Sequence, residues 1–171
     1  LANLDTRGAI CWGGTALDPE LGFMYLNMGN PKTALYGGSR PGENFGSNSV
    51  IAVNLNKLNL EWVFQETKHD LWDFDIPSPP ILTNIKIDNQ IFSVVISVTK
   101  AGNTIILDRI SGKPIFDVLY RKTNPSSIPN EVTFPYQIDS LLPQRLIKLE
   151  YGAEDLIGFP EGKILKSKES L

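Results

Sequence analysis

Short apolar or β-branched runs, each closed by turn residues, recur along the chain, and no long helical periodicity appears before about residue 140. That pattern belongs to an all-β chain of short strands. It predicts strands over Phe23–Met28, Ser49–Val53, Leu60–Phe64, Pro80–Thr83, Phe92–Val98, Thr104–Leu107 and Ile115–Leu119. Polar turns separate them at 18–22, 54–59, 86–89 and 108–114, with Asp88-Asn89 as a hairpin tip. Strands at this spacing suit a meander of antiparallel sheets.

The chain also echoes itself. A shift of 54 residues places Val50-Ile-Ala-Val-Asn54 on Thr104-Ile-Ile-Leu-Asp108, and Trp62 on Phe116. A strand, an Asx-initiated turn and a second strand ending on a large aromatic make one supersecondary unit. Repeats near 50 residues point to propeller blades. Trp62 and Phe116 are the expected blade-docking aromatics. After residue 120 the pattern loosens into a proline-punctuated connection over 124–135, and Leu141 to Ile157 could hold a short helix.

Composition narrows the classes. The 171 residues carry 16 basic and 19 acidic side chains, a net charge of −3, which argues against a nucleic-acid partner. Charge is uneven, with 5 basic against 9 acidic groups in residues 1–85. No apolar run approaches the roughly 20 residues of a membrane span. One cysteine, Cys11, excludes an internal disulfide, and with one histidine, His69, no common zinc pattern is possible. Gly112-Lys113 runs into Pro114, so no phosphate loop forms, and the nucleophile elbow of serine hydrolases is missing.

The densest chemistry lies in Thr67-Lys-His-Asp-Leu-Trp-Asp-Phe-Asp75. On an extended strand Asp73 and Asp75 would share a face, roughly 6.5–7 Å apart, which suits a shared hard cation. The competing reading is a polar turn with an Asx cap and a solvated acidic edge. His69 reads as a structural hydrogen-bonder of that loop.

Trp12-Gly13, Tyr25-Leu-Asn-Met-Gly29-Asn30-Pro31, Arg40-Pro-Gly-Glu-Asn44, His69-Asp-Leu-Trp-Asp73, Lys100-Ala-Gly-Asn103 and Leu107-Asp-Arg109 occur in that order. This series resembles the quinoprotein dehydrogenases that use pyrroloquinoline quinone (PQQ), most closely their membrane-associated glucose, polyol and alcohol branch. The spacings agree as well as the letters: 18 residues from Trp12 to Asn30, 43 to Asp73 and 27 more to Lys100. The resemblance runs over about residues 8 to 145. It implies a partial β-propeller, two to three four-stranded antiparallel blades of an eight-bladed fold, over 1–145. Residues 146–171 would form an irregular or short helical C-terminal segment.

The resemblance also implies roles. Asn30 and Asp73 would be metal ligands, with Asp75 beside them as a further ligand, as in lanthanide-using members, or as support. The metal would be Ca²⁺ or, alternatively, a lanthanide. Asp73 would be the base, Lys100 a catalytic and cofactor-binding donor to the reduced quinone, and Trp12 the platform under PQQ. The implied activity is oxidation of an alcohol, polyol or aldose by hydride transfer to a metal-polarised quinone. A quinone or cytochrome would accept the electrons, in the periplasm or at a membrane anchor outside this chain.

Departures accompany the likeness. Lys57-Leu58 replaces the usual Thr-Gly of the blade turn, Lys32-Thr-Ala34 lacks an acidic residue, and Thr133-Phe-Pro-Tyr-Gln137 matches loosely. A glutamate ligand would lie before Leu1, so the chain reads as an internal fragment that needs the remaining propeller blades and is inactive alone. The alternative function is a non-catalytic propeller scaffold that binds protein partners.

Overall fold

The computed structural model describes residues 8–149 and Gly152. Among these residues there is no helix, and nine strands form three antiparallel sheets. The first has four strands in the order β1 (Thr15–Asp18), β2 (Phe23–Asn27), β3 (Ser49–Asn54), β4 (Asn59–Gln65). The second joins β5 (Ile81–Ile87), β6 (Gln90–Val98) and β7 (Thr104–Asp108), and the third pairs β8 (Val118–Lys122) with β9 (Tyr136–Ser140). The chain is thus all-β, with the sheet order of partial propeller blades.

The core lies between the first two sheets. Phe23, Tyr25, Val50 and Ala52 pack against Val95, Ile105, Leu107 and Ile76, with Trp62 and Phe64 at the margin. Alternation along β2 is strict: Phe23, Tyr25 and Asn27 are buried, Met24 and Leu26 only partly. Period-two burial of this kind fixes register, because a one-residue slip would turn the apolar set outward.

The second sheet is locked onto the first by polar contacts as well. Tyr25 Oη and Trp62 Nε1 both donate to Arg109 O, at 3.0 and 3.2 Å, and Arg109 Nη1 pairs with Asp18 at 2.9 Å. Trp62 lies on the Gly112 turn, where a Cβ would come within 2.4 Å of the indole. Trp62 is therefore a blade-docking aromatic; its repeat counterpart Phe116 is half-buried.

Turns and loops separate by end. At one end Asp18, Asn54 and Asp108 each accept two backbone N–H bonds in Asx turns. The Asp88-Asn89 hairpin tip belongs to that end, both residues having positive φ, as a two-residue turn with a matching twist requires. At the other end lie segments 28–48, 66–80 and 99–103, which hold most of the residues singled out for chemistry. Antiparallel pairing brings these distant stretches together.

The structure differs from the sequence pattern in places. The strand expected over Ile115–Leu119 begins only at Val118 and pairs with β9. Before it, Pro114 bridges Leu107 and Ile115 N donates to Ile106 O at 2.9 Å. Proline has no N–H to extend that ladder, and the chain leaves the sheet. Residues 141–149 are bends and extended chain, and the rest of the expected helix, like most of the expected C-terminal segment, lies outside the described residues. Among the described residues no helix is long and apolar enough to cross a membrane.

Candidate active site

The site is built on the loop after β4. Asp70, fully buried, clamps this loop: Oδ1 accepts Trp72 N at 2.9 Å, and Oδ2 accepts Phe74 N at 2.7 Å and Asn48 Nδ2 at 2.9 Å. Burial pushes the Asp70 carboxyl up, opposed by those donors and by Arg40. Arg40, 1% exposed, donates to Asp70 O, to Ala34 O and to Asn44 Oδ1. A fully buried guanidinium with this many acceptors fixes the loop's path.

His69 belongs to the same scaffold. Its Nδ1 faces Gly42 O at 2.8 Å, and its backbone N–H donates to Glu43 O. Burial pulls its pKa down, so the ring is neutral near pH 7 and acts as a structural hydrogen-bonder.

Asp73 adopts φ +64°, a left-handed conformation that Asp tolerates better than most residues. Its neighbours Trp72 and Phe74 stack on each other with centroids 5.7 Å apart. The Asp73 carboxylate instead meets Asn30 Nδ2 at 2.5 Å and the Lys100 ammonium. Asp75, buried, accepts Asn30 N at 2.8 Å on Oδ1 and Lys100 Nζ at 3.4 Å on Oδ2. Hydrogen bonding to Asp73 is the main reason the Lys100 pKa is raised, with Asp75 adding to it. The lysine is protonated throughout the neutral range.

Trp12 reaches the same place from the N-terminal side. Gly29 is pressed between it and Asp75: a Cβ there would stand 2.5 Å from Asp75 Oδ1 and 2.9 Å from Trp12 Nε1. The indole is 56% exposed, which leaves apolar surface open to a ligand. The structure therefore brings together all five residues singled out in the sequence, Trp12, Asn30, Asp73, Asp75 and Lys100.

Two positioning residues escaped the sequence reading. Asn48 Nδ2 lies within hydrogen-bond distance of Asn30 Oδ1 at 2.6 Å, Asp70 Oδ2 and Phe74 O, so it ties the Asn30 loop to the 70–75 loop. Gln137, in the loosely matching segment, bonds both the N–H and the C=O of Lys68 at 2.9 and 2.6 Å. Neither carries a local signal beyond being polar, because each acts on residues remote in sequence. A hollow of about 410 Å³ lies against Trp72, Phe74, Ala101 and Arg145. Asn30, Asp73, Asp75 and Lys100 are not among its lining residues.

Fold and site together define a blade-repeat protein with polar and charged side chains gathered at one end of its sheets. The family model for the PQQ glucose/ethanol/alcohol dehydrogenase β-propeller domain matches residues 2–170, and the chain belongs to that family. It is 31% identical over 144 residues to the quinoprotein glucose dehydrogenase of Escherichia coli, covering 84% of this chain and 18% of that one. It is 37% identical over 108 residues to the lanthanide-dependent methanol dehydrogenase of Methylorubrum extorquens, covering 63% of this chain and 18% of that one. Among solved structures, the quinohemoprotein alcohol dehydrogenase of Comamonas testosteroni superposes with a TM-score of 0.59 at 28% identity, over 74% of this chain and 20% of that one. The chain thus spans about a fifth of the length of these relatives.

Proposed function

We propose that this chain supplies part of the redox site of a PQQ-dependent dehydrogenase that oxidises an alcohol, polyol or aldose. One observation carries the reading: Asn30, Asp73, Asp75 and Lys100 form a single hydrogen-bonded cluster, with the Trp12 indole against its backbone.

The residues fit the groups the family implies. Two carboxylates already converge on one cationic centre, the Lys100 ammonium, as they would on a hard divalent ion. The Asn30 carbonyl accepts one hydrogen bond from Asn48 and keeps a second lone pair. Asn30, Asp73 and Asp75 would hold the cation, and Trp12 and Lys100 would hold PQQ. When bound, PQQ supplies the hydride acceptor and the cation the Lewis acid that polarises it.

The chain's own residues do the rest. Asp73, with 40% of its side chain exposed, would take the hydroxyl proton while the hydrogen on the carbinol carbon departs with the C–H electron pair and the C=O forms. Lys100 stays protonated and donates where negative charge develops. Asp75, held by Asn30 N, keeps Asn30 in place and adds a second carboxylate toward the cation. That second carboxylate suits a trivalent lanthanide as well as Ca²⁺. Electrons would pass on to a quinone or cytochrome, in the periplasm or at a membrane anchor, and the remaining blades would complete the site.

Asp73→Ala tests the base. In the full-length enzyme loaded with PQQ and Ca²⁺, dye-linked oxidation should fall by about 10³-fold or more, within the range for a lost general base. The circular-dichroism spectrum should be unchanged. Turnover within tenfold of wild type would contradict the assignment.

A further inference from the structure

Lys100 sits in the tight turn between β6 and β7. Thr99 N donates to Asn103 O at 3.0 Å, Gly102 N to Thr99 O at 3.0 Å, and Asn103 N to Thr99 Oγ1 at 3.1 Å. From the far side Arg145 Nη1 donates to Ala101 O at 2.5 Å. Glu66 lies under this turn, 2% exposed, one residue past the end of β4. Its Oε1 accepts Thr99 Oγ1 at 2.8 Å and Asn103 Nδ2 at 2.7 Å, and its own N–H donates to Asn48 O at 3.0 Å. One buried carboxyl thus ties both ends of the Lys100 turn to the strand that opens the Asp70–Asp75 loop.

We propose that Glu66 is the positioning residue for Lys100, holding the 99–103 turn so that the ammonium reaches Asp73 and Asp75. Its importance to chemistry rests on the redox-site reading given above; its hold on the turn does not. No local motif marks it, and it touches neither the carboxylates nor the indole of the site.

Two buried oxygens here, Glu66 Oε2 and Asn103 Oδ1, have no hydrogen-bond partner among the described residues. Both are acceptors while Glu66 is ionised, and a proton on Glu66 converts one into a donor. Burial pushes the Glu66 carboxyl up to about 7, and Asp70 adds to the rise, while Asn103, Thr99 and the Arg145 charge oppose it. Lys68, Tyr120 and Tyr136 share the adjoining hollow with Glu66 and are the other titratable groups facing it. The turn should therefore tighten as pH falls through neutrality. Glutamine reproduces the neutral form: its Oε1 accepts and its Nε2 donates.

The test follows amide exchange and ¹⁵N shifts of residues 99–103 in the full chain, from about pH 5.5 to 8.5, for wild type, E66Q and E66A. Wild-type shifts should titrate near pH 7, and those of E66Q should stay flat. Exchange across the turn should rise about tenfold in E66A, as expected for losing a buried acceptor of two hydrogen bonds, and stay near wild type in E66Q. PQQ should bind at least about fivefold more weakly to E66A than to E66Q. E66A exchange within twofold of wild type, or an E66Q turn that titrates like wild type, overturns the proposal. A turn that responds as described while PQQ binding does not change upholds the hold on the turn and contradicts the redox-site reading.

Discussion

At the residue scale the site separates carboxylates by environment. Asp70 is buried and spends its oxygens on backbone and amide donors, so it shapes the loop. Asp73, three residues on, is exposed enough to meet a ligand, and among the described residues its carboxylate bonds only Asn30 and Lys100. Glu66 is a third case, buried with one oxygen unpaired among the described residues. Its folded pKa of about 7 stands above the ordinary 4.5. The folded state then holds a proton that the unfolded state has released, so stability is greatest below about pH 4.5 for this group and declines as pH rises through 7. The loss is on the order of 3 kcal/mol. Urea unfolding at several pH values should show this slope in wild type and its disappearance in E66Q; equal slopes would contradict the assigned burial penalty.

At the element scale the sheets hold together through turns as much as through strands. Gly112 has φ +68°, closes the Asp108 turn and lies against the Trp62 ring. Gly112→Ala would strain the backbone and push into the indole together, and should cost about 2 kcal/mol or more. Chemical denaturation measures it, and a cost below about 0.5 kcal/mol would mean Trp62 does not depend on that turn. Legibility follows the same line. Strands with alternating apolar residues, β2, β3, β6 and β7, were readable because burial on one face imposes period two. The Asx turns at Asn54 and Asp108 were readable because their hydrogen bonds are local. β1 escaped because Thr15-Ala-Leu-Asp18 is short and half polar, and β9 because Tyr136-Gln-Ile-Asp-Ser140 has only two apolar residues. The strand expected at Ile115 was displaced by Pro114.

At the scale of the whole molecule, antiparallel pairing puts tight Asx turns at one end and the candidate site at the other. Residues 12, 30, 73, 75 and 100 meet because β2, β4 and β6 all finish at the same end. Their types and spacing were legible, as was the all-β class. Their partners were not: Asn48 reaches Asn30 and Asp70 across 18 and 22 residues, and Gln137 reaches Lys68 across 69. Such contacts exist only once the sheets have formed. The sheets carry four, three and two strands, and the family's fold closes such blades into a ring. Ile81, Ile91 and Tyr120 stand exposed on the second and third sheets.

The central claim is that the cluster around Asp73 binds a cation and PQQ together. Titrating PQQ into the full-length apoprotein with Ca²⁺, followed by cofactor absorbance and tryptophan quenching, tests it most directly. Saturable one-to-one binding is expected, abolished by a chelator and weakened about tenfold or more by Asn30→Ala and by Asp73→Ala. Binding that is unaffected by the chelator and by both substitutions, or no binding at all, would contradict the account.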